Sequence, residues 1–352
     1  MSSISEYIIN NEKQFYGATK IKYIYIPAEQ KSDILIIGFS GSQQYGTKAV
    51  YNYAKYLRPF KKANLLFILD EYDGYPCYYL GKNNNLDYAT STIALIYSIM
   101  NENDIKKENV ITCGSSKGGS AAIYFSLMYD FGYTIAGGFQ YYVGSYLYKI
   151  AQRADEKGKN IKEMLHSITG GNITEQCKIL LNNRFQGLFD IPKLSYNTKF
   201  LLHVGDKDYH YENHVLPFIS ELEKRQYKYE LDLQPYEDHN LVGEYFSKYL
   251  VNQISRILDE PIILSANASK IFDNEIKFSC TTTGNFLAHN DVQYAFYVFD
   301  MIDLKNPIKK YPYTSKNEIA FKGEGGKNYT ARVFMRKGKN TPIAQRTNVI
   351  KL

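Results

Sequence analysis

Residues 109–124 (NVITCGSSKGGSAAIY) hold the clearest chemistry in the chain: an apolar run, Val110 to Cys113, enters Gly114-Ser115-Ser116-Lys117-Gly118, and a small-residue helical pattern follows. A serine between two glycines at a strand–turn–helix junction fits an exposed nucleophile, because the glycines let strand and helix close tightly around the turn. Ser116 is the central residue, and Ser115 beside it lies off that centre. The backbone N–H of Lys117, in the first helical turn, faces any oxyanion that forms on an acyl group attached to Ser116.

A serine nucleophile needs a base and an acid, and both occur further along. Lys199–Gly205 is a short apolar strand pattern followed at once by Asp206-Lys207-Asp208, and spacing from Gly205 favours Asp208 over Asp206 as the acid. Lys228–Gln234 alternates as a half-buried strand should and ends in Pro235-Tyr-Glu-Asp-His239. In this arrangement His239 takes the Ser116 proton, and Asp208 fixes the imidazole's tautomer. His210 and His214 lie four apart without the Glu-x-x-His or cysteine company of a zinc site, so they read as polar decoration of the acid loop, and no metal is expected. His203, inside an apolar strand, reads as a hydrogen-bonded core residue, while His166 and His289 have no chemical partners nearby.

A second oxyanion donor should follow an earlier strand. Asp33–Ser42 contains the buried-strand run Ile34–Ile37 and then Gly38-Phe39-Ser40-Gly41, which makes the Ser40 N–H the first choice and Phe39 the alternative. The segment Gln140-Tyr141-Tyr142, leaving the strand after the nucleophile helix, is expected to line the substrate site.

Up to about residue 258 strands and helices alternate. Strand patterns fall at 22–27, 33–39, 64–70, 109–113, 134–139, 199–205 and 228–234, and helical ones at 48–59, 86–101, 119–129, 212–226 and 241–257. Such alternation implies a mostly parallel sheet covered by helices. Between about 145 and 197 the texture becomes helical and charged, which suits a lid over the site. From 259 to 352 it changes again to short alternating runs at 275–281, 293–299, 317–321, 329–336 and 343–350, as in an immunoglobulin-like β-sandwich. The expected architecture is therefore an α/β catalytic domain over 1–258 and an all-β domain over 259–352.

Composition bounds the rest. The 352 residues are 44% hydrophobic, with a net charge of +6 and four scattered cysteines. No metal spacing or disulfide rhythm appears among those cysteines, and no signal peptide or membrane-length apolar run is visible. A cytoplasmic protein with reduced thiols is the expectation. No dense arginine patch points to nucleic acid. The 34 tyrosines and absence of tryptophan read first as an AT-rich genome's usage, although tyrosine-lined grooves also suit sugars.

On these motifs, residues 30–258 resemble the α/β-hydrolase superfamily. Gly114-Ser-Ser-Lys-Gly-Gly119 with Gly205-Asp-Lys-Asp208 and Glu237-Asp-His239 is similar in layout to bacterial surface-glycan O-acetyltransferases, of capsules and of accessory secretion systems. Gly38-Phe39-Ser40-Gly41 resembles the superfamily's His-Gly-x-Gly loop, with glycine in place of the leading histidine. The sandwich resembles "triple tyrosine" β-domains on Tyr294-Ala-Phe-Tyr and Tyr329-x-x-x-x-Phe334. The resemblance implies an acyl-Ser116 intermediate and transfer to a sugar hydroxyl (O-acetyltransferase) or to water (O-acetyl esterase), on a surface polysaccharide or its precursor. Other surface-glycan biosynthesis proteins are the implied partners. No cofactor is required, and acetyl-CoA is the donor the resemblance suggests, though no CoA-binding motif is recognisable. The competing readings are a non-catalytic glycan-binding or scaffold protein on an inherited fold, and a cytosolic serine esterase or peptidase.

Overall fold

The computed structural model describes residues 10–41, 50–171, 173–191, 197–283, 292–338 and 342–352. The chain divides into two compact units, Met1–Leu250 and Val251–Leu352. Among the described residues no helix is long and apolar enough to cross a membrane.

The first unit is built on one eight-stranded sheet. In chain order its strands are β1 (Lys13–Tyr16), β2 (Lys20–Ile26), β3 (Leu35–Phe39), β4 (Asn64–Ile68), β5 (Val110–Ser115), β6 (Tyr133–Gly137), β7 (Lys199–Gly205) and β8 (Lys228–Gln234). They lie in the order β1-β2-β4-β3-β5-β6-β7-β8, parallel from β4 to β8, with β1 and β2 antiparallel at one edge. β3, β4 and β5 are buried at every residue, as expected of central parallel strands covered on both faces. The helices of this unit are α1 (Ala54–Leu57), α2 (Asp87–Glu102), α3 (Lys117–Tyr129), α4 (Val143–Ala151), α5 (Glu156–Thr169), α6 (Glu175–Gln186), α7 (Leu216–Lys224) and the first part of α8 (Val242–Leu258), whose remainder belongs to the second unit.

The helical stretch expected as a lid over 145–197 consists of α4, α5 and α6, capped where α5 and α6 begin by the Asp155 and Thr174 side chains. Residues 172 and 192–196 of that stretch, like His289, lie outside the described residues. The sequence reading missed β1, a four-residue edge strand with three exposed positions and no burial pattern to find. It also ran one helix over 212–226, where Tyr211–Val215 forms a π-helical turn leading into α7.

The second unit is a two-sheet antiparallel sandwich. β9 (Ile263–Phe272), β10 (Glu275–Thr282) and β13 (Glu318–Lys322) form one sheet in the order β13-β10-β9. β11 (Val292–Asp300), β12 (Lys309–Thr314), β14 (Asn328–Lys337) and β15 (Ile343–Arg346) form the other in the order β12-β11-β14-β15, with the short β16 (Ile350–Lys351) also on β14. Phe278, Phe296, Val298, Tyr329 and Val333 from the two inner faces share one core. Tyr329, near the start of β14, accepts the Glu324 N–H with its hydroxyl oxygen at 2.8 Å, the side-chain-to-upstream-backbone tie of a tyrosine corner. β9 and β12 were not recognised from sequence, and the expected run 343–350 is split between β15 and β16.

Two glycines decide how tightly β5 and α3 meet. A methyl group on Gly114 would lie 2.5 Å from the Gly118 carbonyl carbon and oxygen, and one on Gly118 would lie 2.5 Å from the Phe39 carbonyl oxygen. All three contacts are to backbone, which cannot swing aside. Gly114→Ala is therefore expected to destabilise the first unit by about 1–3 kcal/mol. Gly243→Ala, on the exposed second residue of α8 with nothing within 4 Å of the new methyl, should be neutral or stabilising by up to about 1 kcal/mol. Urea unfolding of the two variants beside the parent checks both signs.

Candidate active site

Ser116 sits between β5 and α3 with φ 50° and ψ −125°, a conformation costly for any residue with a side chain. It persists because the chain is held on both sides. The Ser116 N–H donates to the Gly137 carbonyl at 2.8 Å, and the Ser116 carbonyl accepts from Ser120 N–H at 3.0 Å in the first turn of α3. The hydroxyl is thereby presented beyond the end of β5.

Two further strand ends bring partners to it. Past β7, Asp208 is buried, while Asp206 is exposed and its N–H donates to the Gln234 carbonyl. Past β8, His239 lies with Nε2 3.1 Å from Ser116 Oγ and Nδ1 2.8 Å from Asp208 Oδ2. Serine, imidazole and carboxylate thus form one hydrogen-bonded line. Ser115, by contrast, is turned away and bonded to the Tyr53 hydroxyl at 2.5 Å.

His210 belongs to the same cluster, which corrects its reading as polar decoration. Its Nδ1 lies 2.8 Å from Asp208 Oδ1, its ring stacks on His239 with centroids 3.8 Å apart, and it is almost fully buried. Asp208 therefore meets a different imidazole with each oxygen, and the hydrogen bonds from both rings hold its carboxyl below the usual range against the opposing effect of burial. Burial in turn lowers the His210 pKa, which favours the neutral ring. With its one proton on Nδ1 facing Asp208, His210 Nε2 is an acceptor, and Gln140 Nε2 lies 2.9 Å away to donate to it. The same Gln140 nitrogen donates to Ser116 Oγ at 3.2 Å, while Gln140 Oε1 accepts from Ser120 Oγ at 3.3 Å. A serine oxygen that accepts from Gln140 directs its own proton towards His239. No local motif signals His210 or this use of Gln140, since the contacts join residues 70 and 24 positions apart.

Asp208, His210 and His239 have the chemistry of metal ligands, with ligand atoms within 4.8 Å of one another. Each imidazole turns Nδ1 to a separate carboxylate oxygen, the geometry of N–H···O bonds rather than of lone pairs converging on one point. The His210 and His214 rings are in contact at 5.4 Å, and His214 Nδ1 accepts the Tyr142 N–H at 3.3 Å.

The side chain of Lys117, which played no part in the sequence reading, is a structural element of the site. Lys117 Nζ and Asp70 Oδ2 form a buried ion pair at 2.7 Å, and Asp70 also accepts the N–H groups of Cys77, Tyr78 and Tyr79 at 3.0–3.2 Å. That anchors Tyr79, whose hydroxyl donates to the Ile68 carbonyl at 2.8 Å and receives the Ser40 N–H at 2.6 Å. The expected oxyanion donor Ser40 is thus committed to Tyr79. Phe39, the alternative, is the last residue of β3 in register with Ile68, and the Gly41 N–H donates to Asn52 Oδ1 at 2.8 Å. The Lys117 N–H, first in α3, has no carbonyl one turn back in its own helix.

Of the expected lining, Gln140 is beside Ser116 and Tyr142 is half-buried against His214. Tyr141 is a correction: its ring is 3% exposed and packs on Phe189 and Phe218 in the core. His203 is the hydrogen-bonded core histidine expected, 2.6 Å from Asp232 and 3.2 Å from the Tyr236 hydroxyl. His166 is exposed on α5, and all four cysteines are free thiols.

The strands and helices follow one known pattern. The first unit has the α/β-hydrolase fold. Its layout is similar to that of the capsule O-acetyltransferase of Neisseria meningitidis serogroup A, a mutant of which was solved in complex with CoA (TM-score 0.54, 20% identity, 66% of this chain and 91% of that one). It is also similar to the glycosylation associate protein (Gap123) complex from Streptococcus agalactiae (TM-score 0.57, 17% identity, 70% of this chain and 46% of that one). The fluorophosphonate-binding serine hydrolase F of Staphylococcus aureus aligns with a TM-score of 0.49 at 15% identity, over 70% of this chain and 97% of that one. No family model matches the sequence, and no curated protein matches it. At these identities the likeness speaks to the fold.

The buried imidazoles generate a pH dependence of stability. Burial lowers the His214 pKa from 6.5 to about 3, and His210 shifts in the same direction. Below pH 6.5 the unfolded chain protonates His214 while the folded chain does not until about pH 3, so stability falls as pH falls, and the His210 shift adds in the same direction. Each such proton contributes a slope of about 1.4 kcal/mol per pH unit. Urea unfolding at pH 7, 6 and 5 should show the decline, and His214→Phe should remove about one proton's worth of slope whatever its effect at pH 7.

Proposed function

We propose that this protein is a serine-dependent acyltransferase or esterase that acts on a surface polysaccharide or its precursor through an acyl-Ser116 intermediate. The observation that carries the reading is the Ser116–His239–Asp208 line, with its distances of 3.1 and 2.8 Å, on a strained serine turn. A buried serine hydroxyl can satisfy itself with one bond, as Ser115 does. Three strand ends converging on Ser116 suit proton transfer better than they suit structure.

In the proposed reaction His239 Nε2 takes the proton from Ser116 Oγ as the oxygen attacks the donor's acyl carbon. Asp208 stabilises the imidazolium through Nδ1, and the Lys117 N–H meets the developing oxyanion. Collapse of the tetrahedral species returns the proton from His239 to the departing thiolate or alkoxide and leaves the acyl group on Ser116. A sugar hydroxyl or water then gives its proton to His239 and takes the acyl group, and His239 passes that proton to the departing Ser116 Oγ. The stacked His210 and the Gln140 amide act as positioning residues: they hold Ser116 Oγ as an acceptor from one side, so that its proton points at His239. The Ser40 N–H can join the oxyanion hole only after Tyr79 lets it go, and the Lys117–Asp70 pair resists that movement.

The transferase reading with a glycan acceptor draws on the likeness to a capsule O-acetyltransferase solved with CoA, which makes acetyl-CoA the first donor to try. The Gap123 complex makes other surface-glycan proteins the first partners to seek. A fluorophosphonate should label Ser116 in the parent and fail in Ser116→Ala. His239→Ala and Asp208→Asn should each slow labelling by about 10²–10⁴-fold. Gln140→Leu, losing one hydrogen bond to Oγ, should slow it by roughly tenfold. Peptide mass spectrometry after a brief incubation with acetyl-CoA should find acetyl on Ser116. Parent protein that is folded but refuses both fluorophosphonate and acetyl would end the enzyme reading in favour of a scaffold.

A further inference from the structure

The outward face of the larger sandwich sheet carries an array of cations that, among the described residues, make no ion pair. Lys310 on β12, Tyr297 on β11, Arg332 on β14 and Arg346 on β15 are successive register partners, so they form one row across four strands. At about 4.8 Å per strand, the row spans roughly 14 Å. Alternation along each strand puts this row on the side opposite the core residues Phe296, Val298, Ala331 and Val333. Arg336 lies on the same face, four residues along β14 from Arg332.

Aromatic rings hold these cations up. Lys310 Nζ lies 5.3 Å from the centroid of Tyr297, and the guanidinium carbons of Arg332, Arg336 and Arg346 lie 5.1, 4.0 and 4.9 Å from Phe334, Tyr313 and Phe299. Tyr297 and Phe334 in turn pack on each other at 4.7 Å. Among the described residues no carboxylate pairs with these cations. Positions 293–299 of β11, 328–336 of β14 and 344–346 of β15 that face this way hold no Asp or Glu. Among the described residues no ion pair involves Lys310, Arg332, Arg336 or Arg346; the only side-chain oxygen meeting them is Gln293 Oε1, on Arg336. Arg332 and Arg346 stand directly opposite on neighbouring strands, an arrangement that costs stability. A sheet that needed only solubility would place an acid in one of those positions.

We propose that this sheet face binds an acidic polysaccharide, its row of cations pairing with charged groups repeated along an extended polymer. The choice of a sugar polymer over other polyanions rests on the glycan acyl-transfer reading of Ser116. It is also favoured by the rings, which lie under the cations and against each other rather than standing free to stack between bases. Arginine forks match carboxylate and phosphate oxygens in pairs, so the array would select charged sugar chains over neutral ones.

Affinity electrophoresis of the full chain tests this, with hyaluronan as ligand and with methyl-esterified hyaluronan and dextran as uncharged controls. The parent should be retarded by hyaluronan alone, and the retardation should fade between about 50 and 200 mM salt. The Arg332→Gln/Arg346→Gln variant should bind at least roughly tenfold more weakly. Arg346→Glu, which sets a carboxylate opposite Arg332, should lose binding while keeping or raising the melting temperature, an outcome that a merely structural arginine would not give. Equal retardation of parent and variants, retardation by dextran, or preferential binding of single-stranded DNA or phosphatidylserine vesicles would each overturn the proposal. Ser116→Ala should bind hyaluronan as the parent does, and the arginine variants should accept fluorophosphonate as it does. Loss of labelling with binding intact would therefore count against the acyl-transfer reading alone, and the reverse against this surface alone.

Discussion

A carboxylate shut away from water must be met by donors on both oxygens, and the architecture around Ser116 follows from how Asp208 meets that condition. One oxygen takes His239 and the other His210, so two imidazoles are drawn face to face at 3.8 Å. Like-charged rings would not rest at that distance in a buried site. The lowered pKa of His210 keeps its ring neutral, and a neutral His210 with its proton on Nδ1 must offer a lone pair on Nε2. Gln140 fills that need with one amide proton and has the other left for Ser116 Oγ. A requirement of the Asp208 carboxylate thus reaches Ser116 by two routes, through His239 and through His210 and Gln140.

On the opposite side of Ser116 the organising charge is Lys117. A buried lysine is tolerable only with a partner, and Asp70 satisfies it while collecting three backbone N–H groups from residues 77–79. Tyr78 and Tyr79 both adopt positive φ, 55° and 57°, and those amide bonds hold them there. The hydroxyl of Tyr79 then occupies the Ser40 N–H. Lys117, the proposed oxyanion donor, therefore also fixes, through its side chain, the state of the Ser40 N–H. This coupling is not legible in a glycine-rich strand exit: the loop has the expected position, and its amide is claimed by a tyrosine 39 residues away.

The parts of the fold legible in the sequence are those set by local periodicity and by strain. β7 and β8 fall within the bounds that their apolar patterns define, and the Ser116 turn was recognisable because glycine is required where a side-chain methyl would come within 2.5 Å of neighbouring backbone. The order of serine, acid and histidine carried over because each follows a strand end. What stayed hidden depends on long-range neighbours. His210 and Tyr141 carry the same local signals as surface decoration and site lining, and only packing separates them: His210 stacks on His239, and Tyr141 sinks between Phe189 and Phe218. β1, with three of its four residues exposed, has no hydrophobic alternation to read.

The charge pattern obeys the same division. Arg332, Arg336 and Arg346 are spread over fifteen positions and leave no basic run in the sequence, which is why no dense arginine patch is visible there. Antiparallel pairing of β14 with β15 folds that stretch back on itself and sets Arg332 opposite Arg346, while β12 adds Lys310 at the other end of the row. Strand register, not local density, makes the surface basic. Repulsion within such a row is a standing cost to the folded sandwich, and it is relieved most fully by a ligand that brings one negative charge to each cation in turn. A polymer with regularly spaced charges meets that condition better than any single small anion, because each added contact spares it the entropy of a separate association.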